Sequence, residues 1–251
     1  MTAANNLVEG RILLEVCVDT PAGLAAAIAG GADRIELCAA LGLQGLTPAP
    51  GLMALATQAP IPVYSMIRPR NGDFCYDDGD IDAMRRDIDA VRLYGLAGVV
   101  IGASRANGEL DLDVLEILVE HSQGLGLTLH RAIDIVPDQA AALEAAIALG
   151  FERVLTSGGA LTAEAGAERI AELVARAAGC IGVMAGAGVR PGNLASLVSR
   201  TGVREVHGSF GGPVPGADPA SKLGEMGFVP PELRDTSQAA VAEAVAVLRG
   251  L

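Results

Sequence analysis

Short β-branched runs alternate with longer Ala/Leu-rich stretches along the chain, the pattern that repeated βα units produce on a parallel sheet. Eight strands are expected, near residues 12–18, 34–38, 63–68, 98–101, 127–131, 153–156, 181–185 and 205–208. The stretches between them, such as 80–94, 111–123, 137–149 and 162–178, have helix-forming composition, and several open on Asp, Pro or Thr at a capping position. A last helix over 237–248 would close the ring. Four strands are entered by one recurring phrase: GGADRIEL at 30–37, YGLAGVVI at 94–101, LGFERVLT at 149–156 and TGVREVHG at 201–208. Its glycine suits the left-handed cap that ends a helix, and the β-branched residues after it begin a strand. Eight such units predict an α/β fold, a single (β/α)8 TIM barrel over residues 1–251, in preference to an open doubly wound sheet.

Successive strand residues face opposite sides, so parity assigns them. Glu15 and Cys17 oppose Leu14, Val16 and Val18; Arg34, Glu36 and Cys38 oppose Ile35 and Leu37. An unpaired charge beneath the outer helices would be very costly, so the charged parity points into the barrel. The same rule places Met66, Arg68, Thr128 and His130 inside, with His207 near the end of strand eight and Arg70, Arg131 and Asp134 just beyond in loops. Barrel interiors are usually filled by branched apolar side chains, and functional sites lie at the carboxyl ends of the strands. A polar upper layer there points to function. Internal ion pairs that plug the barrel are the structural alternative, although buried pairs often stabilise no more than apolar filling does.

Composition removes some chemistries. A net charge of −12 opposes the phosphate backbone of nucleic acid. No apolar run reaches the length of a membrane helix and the N-terminus has no signal-peptide pattern, so a cytoplasmic protein is expected. The basic residues include a single lysine, Lys222, in a Gly/Pro-rich segment, which disfavours Schiff-base aldolase chemistry and covalent pyridoxal phosphate. Cys17, Cys38, Cys75 and Cys180 form no CxxC pair.

Glycine loops follow three strands: TSGG at 156–159 with Ser157 and Gly158, AGAGVRPGN at 185–193 with Gly186 and Gly188, and HGS after strand eight. Backbone N–H groups in such loops cradle phosphate in this fold, and plain turn chemistry is the alternative. In an enzyme, His130, Glu15 or Glu36 would transfer protons, Arg68, Arg70 or Arg131 would hold an anionic group, and Asp134 would orient His130 or Arg131. The ligand would be a small phosphorylated or carboxylated metabolite.

The blocks LLEVCVDT (13–20), GGADRIELCAALGLQGLTPAPG (30–51), VYSMIRPRNGDFCY (63–76), LHRAID (129–134), GFERVLTSGG (150–159), VMAGAGV (183–189) and EVHGS (205–209) occur in order. Together they resemble the CutC copper-homeostasis family over residues 12–210. The resemblance implies a barrel, cytosolic copper handling, a homo-oligomer, and Cys17 and Cys38 as Cu(I) ligands. Soft thiolates select Cu(I), and inward cysteines on neighbouring strands about 4.8 Å apart could share an ion. Both could equally be small buried hydrophobes. The expected partner is therefore a copper ion or a small anionic metabolite, with no membrane and no nucleic acid.

Overall fold

The computed structural model describes residues 11–251. Eight parallel strands close in chain order: β1 (Leu13–Val18), β2 (Arg34–Leu37), β3 (Val63–Met66), β4 (Gly98–Ile101), β5 (Gly126–Leu129), β6 (Arg153–Thr156), β7 (Gly182–Ala185) and β8 (Glu205–Gly208), which returns to β1. Helices α1 (Pro21–Gly30), α2 (Pro50–Ala56), α3 (Asp78–Leu93), α4 (Leu112–His121), α5 (Gln139–Ala148), α6 (Ala167–Ala177) and α7 (Pro191–Thr201) connect them. Beyond β8, β9 (Gly211–Pro213) pairs antiparallel with β10 (Arg234–Thr236) around the short α8 (Lys222–Glu225). The last helix, α9 (Gln238–Arg249), packs between α1 and α7 and completes the outer ring. The expected (β/α)8 barrel is the observed one.

Local chemistry sets the joints. In the recurring phrase, Gly31, Gly95, Gly150 and Gly202 all have positive φ, between 66° and 91°, the cap that a side chain would strain. Asp77, Asp111, Asp138 and Ser237 accept backbone N–H bonds at the starts of α3, α4, α5 and α9. Two strands, β3 and β5, end two residues earlier than the pattern predicts, because Pro69 follows Arg68 and because a 3-10 turn, Arg131–Asp134, begins directly after His130. The ladder still reaches one bond further, Ile67 N–H donating to Val100 O and His130 N–H to Ile101 O, both at 2.9 Å. Helix α6 begins at Ala167 rather than 162, since Ala163 N–H is tied to Ala187 O in the loop after β7.

The parity divides the apolar residues into two clusters. Leu14, Val16, Ile35, Leu37, Ile67 and Leu129 belong to the large one between barrel and helices. Cys38, Tyr64, Met66 and Val100 form a small one inside. Tyr64 lies across the lower barrel, where a Cβ at Gly98 or Gly126 would collide with its ring or hydroxyl. One aromatic side chain from β3 thus fills the space that β4 and β5 leave empty.

Candidate functional site

The lower interior is an ion-pair network. Arg34 bonds Glu15 through Nε and Glu205 through Nη2. Arg153 pairs with the same Glu205 carboxylate at 3.2 Å, donates to Thr128 Oγ1 at 2.9 Å, and stacks on Tyr64 with its guanidinium 4.7 Å from the ring centre. Burial alone would raise the Glu15 carboxyl, but Arg34 and His207 outweigh it and hold it well below the carboxylate range. Both Glu15 oxygens are engaged, so this residue anchors its neighbours and is not the free base that sequence allows. Strand parity could have found Glu205, Arg153 and Tyr64, each two residues from an inward position.

Above this layer, Glu15 Oε1 meets His207 Nδ1 at 2.8 Å, which turns His207 Nε2 toward Cys17 and Glu36. One ligand atom each from Cys17, Glu36 and His207 lie within 4.8 Å of one another. Burial opposes charge on the His207 ring, yet Cys17, Glu36 and Glu15 raise its pKa well above the ordinary imidazole value. Burial raises Cys17, Glu36 and Cys38, the last pushed further by Glu36. Cys38 Sγ sits 3.4 Å from Glu36 Oε2 and otherwise packs among the inner apolar side chains.

A cavity of about 670 Å³ opens above, at the carboxyl ends of the strands. Cys17, Glu36, Arg68, His130, Arg131, Asp134, Gly188 and His207 all line it. Arg68 is 6% exposed and has no carboxylate partner among the described residues; its guanidinium donates to Leu43 O (2.8 Å), Gly45 O (3.0 Å) and Gly72 O (3.0 Å) and lies 5.3 Å from the Phe74 ring centre. His130 rests on the same Phe74, ring centres 4.6 Å apart. Burial and the Arg68 charge lower the His130 pKa to about 3. Of the residues that line this cavity, Glu36 Oε1, Arg68 Nε and His130 Nε2 are buried without a hydrogen-bond partner among the described residues. No periodic signal marks Phe74, a loop residue, as the shared platform.

Other expected contributors are turned elsewhere. Arg70 leaves the cavity and pairs with Asp80 (2.9 Å) and Asp73 (3.1 Å) at the surface, because Pro69 breaks the strand before parity reaches it. The 157–159 loop offers no free cradle. Ser157 N–H (3.0 Å) and Gly159 N–H (3.1 Å) donate to the Asp134 carboxylate, and Gly158 N–H to Thr156 Oγ1 (2.9 Å). Asp134 is the anion that this loop binds, and it also takes Arg131 Nε at 2.8 Å; it makes no bond to His130. Gly186 donates to Thr156 O at 3.0 Å and faces Leu155 and His207, so close packing explains it. Cys75 lies in the loop after β3, and Cys180 is exposed at the opposite end of the barrel.

A model described as the CutC family matches residues 12–212. The chain belongs to the CutC family. A CutC family protein of Caulobacter vibrioides is 76% identical over 241 residues, covering 96% of this chain and 98% of that one. One of Sinorhizobium medicae is 56% identical over 241 residues with the same coverage, 96% and 98%. The crystal structure of CutC from Streptococcus agalactiae, whose name assigns it provisionally to copper homeostasis, superposes with a TM-score of 0.76 at 33% identity, covering 79% of this chain and 98% of that one. The CutC match takes in all eight barrel strands and every cavity-lining residue from Cys17 to Ser209, and it ends before α8.

Proposed function

We propose that the barrel mouth is an enzyme site for a small anionic metabolite and that Arg68 anchors the anion. One observation carries this. A guanidinium has five N–H donors. Three bonds to carbonyls leave Nε–H and one Nη2–H, adjacent donors that match two oxygens of a carboxylate or phosphate. A buried permanent charge with no counter-charge is costly, and a ligand anion in the adjoining cavity relieves that cost. Glu36, with an unpartnered oxygen in the same cavity, is the proton-transfer candidate left once Glu15 is committed.

Copper handling, the role in the name of the Streptococcus agalactiae relative, has separate support in the cluster of Cys17, Glu36 and His207. His207 is oriented by a carboxylate on its other nitrogen, as metal-binding imidazoles commonly are, and Cys17 with Cys38 would supply soft sulfur. Glu36 is a hard donor that Cu(I) does not favour, and both thiols must first lose protons that burial holds in place. Four free cysteines suit a reducing compartment, in keeping with the cytosolic, homo-oligomeric setting that the resemblance implies. Among the described residues, no helix is long and apolar enough to cross a membrane.

Thermal unfolding with a panel of small carboxylates and phosphorylated metabolites tests the proposal. A ligand at 100 times its dissociation constant adds about 2.7 kcal/mol. The shift should largely vanish in Arg68→Lys, which keeps charge but loses the fork, and persist in Cys17→Ser. No stabilising anion, or a shift indifferent to Arg68→Lys, would overturn it. Tight Cu(I) binding that Cys17→Ser abolishes, without any anion effect, would establish the copper role instead.

A further inference from the structure

Besides Arg68 and Glu36, the cavity wall carries a further unpartnered group, His130, and its protonation follows from geometry. The residue caps the Arg131–Asp134 turn, and its Nδ1 accepts the Ala132 N–H at 3.1 Å. A nitrogen that accepts a hydrogen bond carries no proton, so the neutral ring bears its hydrogen on Nε2. That Nε2–H is buried and has no acceptor among the described residues. Gly102 faces the ring so closely that a Cβ there would collide with it, which fixes the imidazole in place. Arg68, the neighbouring charge, packs against the same Phe74 ring as His130 and disfavours an imidazolium there. An unsatisfied buried donor is costly unless a ligand supplies the acceptor.

We propose that His130 is a neutral hydrogen-bond donor whose Nε2–H takes a carbonyl oxygen of the bound anion, while Arg68 holds its carboxylate or phosphate. The inference rests on the anion-binding function above and adds a role and a substrate class to it. A neutral imidazole N–H stabilises negative charge on an oxygen by hydrogen bonding, without surrendering a proton to it. The general-base role that sequence allows His130 is closed, because Nδ1 is committed to the backbone and Nε2 is protonated. The substrate class is a small anion with a carbonyl near the charged group: a 2-oxo carboxylate or a phosphorylated ketone.

Calorimetric titrations would use pyruvate and dihydroxyacetone phosphate as the two arms, with acetate and inorganic phosphate as counterparts lacking the carbonyl. In His130→Leu, affinity for the better carbonyl-bearing probe should fall at least tenfold, while affinity for its counterpart changes less than threefold. His130→Gln, which returns an N–H donor, should recover most of the loss. The wild-type protein supplies a measurement that no variant can spoil: the ¹⁵N spectrum of His130 should show the neutral Nε2–H tautomer from pH 5 to pH 8, with and without probe. An imidazolium at pH 6, an Nδ1–H tautomer, or equal loss for probe and counterpart would overturn the role of His130 while leaving Arg68-dependent binding standing. Failure of every probe and counterpart to bind the wild-type protein would remove the anion site itself, and this inference with it.

Discussion

At the scale of single residues, the cavity brings together two histidines in opposite states. His207 sits among Glu15, Glu36 and Cys17, all of which favour its proton, whereas His130 is buried beside the Arg68 charge and caps a backbone amide. The consequence for stability can be signed. His130 has a pKa of about 3 in the native state against about 6.5 in an unfolded chain. The native ring therefore refuses a proton that the unfolded chain accepts. Its contribution is whole above about pH 6.5, falls as the pH drops, and is lost progressively until about pH 3. Between pH 6.5 and pH 5 the native protein should lose about 1–2 kcal/mol on this account, since the unfolded imidazole is half protonated at pH 6.5 and the slope reaches about 1.36 kcal/mol per pH unit only below it. Urea unfolding of wild type and His130→Gln across that interval checks it: the wild-type curve should fall more steeply by that amount. Parallel curves would mean that His130 titrates normally.

At the scale of elements, the loop between β6 and α6 illustrates why glycine patterns mislead. TSGG has the composition of an anion cradle, and it is one, but the anion is Asp134, more than twenty residues earlier in the chain. Nothing local in the sequence announces that partner. Asp134 also takes the Thr156 hydroxyl at 2.5 Å and the Ser157 hydroxyl at 2.9 Å, so one carboxylate pins the whole loop against the Arg131–Asp134 turn. Asp134→Asn should cost about 2–3 kcal/mol, because charge-assisted bonds weaken and one amide hydrogen faces donors. Hydrogen exchange at Ser157 and Gly159 should accelerate by tenfold or more while the amides of β1 stay protected. Anion binding at Arg68 should survive, since that side chain is held by the carbonyls of Leu43, Gly45 and Gly72. Unchanged exchange at Ser157 would show that backbone geometry alone holds the loop.

At the scale of the whole molecule, the barrel was legible because a period-2 alternation repeated eight times leaves few ways to bury its apolar face. The same alternation pointed Glu15, Cys17, Glu36, Arg68, His130 and His207 inward, since only a charged parity and an apolar parity were available to choose between. What the pattern did not reveal is how the polar interior divides. Glu15 belongs with Arg34, Glu205 and Arg153 in a self-neutralising lower layer, whereas Arg68 stands above without a carboxylate among the described residues. That division depends on which side chain reaches which across the barrel, and strand spacing carries no such information. Arg70 shows the limit most clearly: it shares its parity with Arg68, yet past Pro69 the chain is no longer a strand and parity ceases to apply.

The division has a direct consequence for the proposed function, which predicts an anion before Arg68, the cavity-lining guanidinium that is buried without a carboxylate partner among the described residues. The crystal structure of protein purified from cells without added ligand or metal, at a resolution that separates bound molecules from water, tests this most directly. Continuous density of carboxylate or phosphate size should stand about 2.7–3.1 Å from Arg68 Nε and Nη2. An Arg68 side chain swung onto a carboxylate of this same chain, or water alone before it and a metal ion seated on Cys17 and His207, would contradict the anion site.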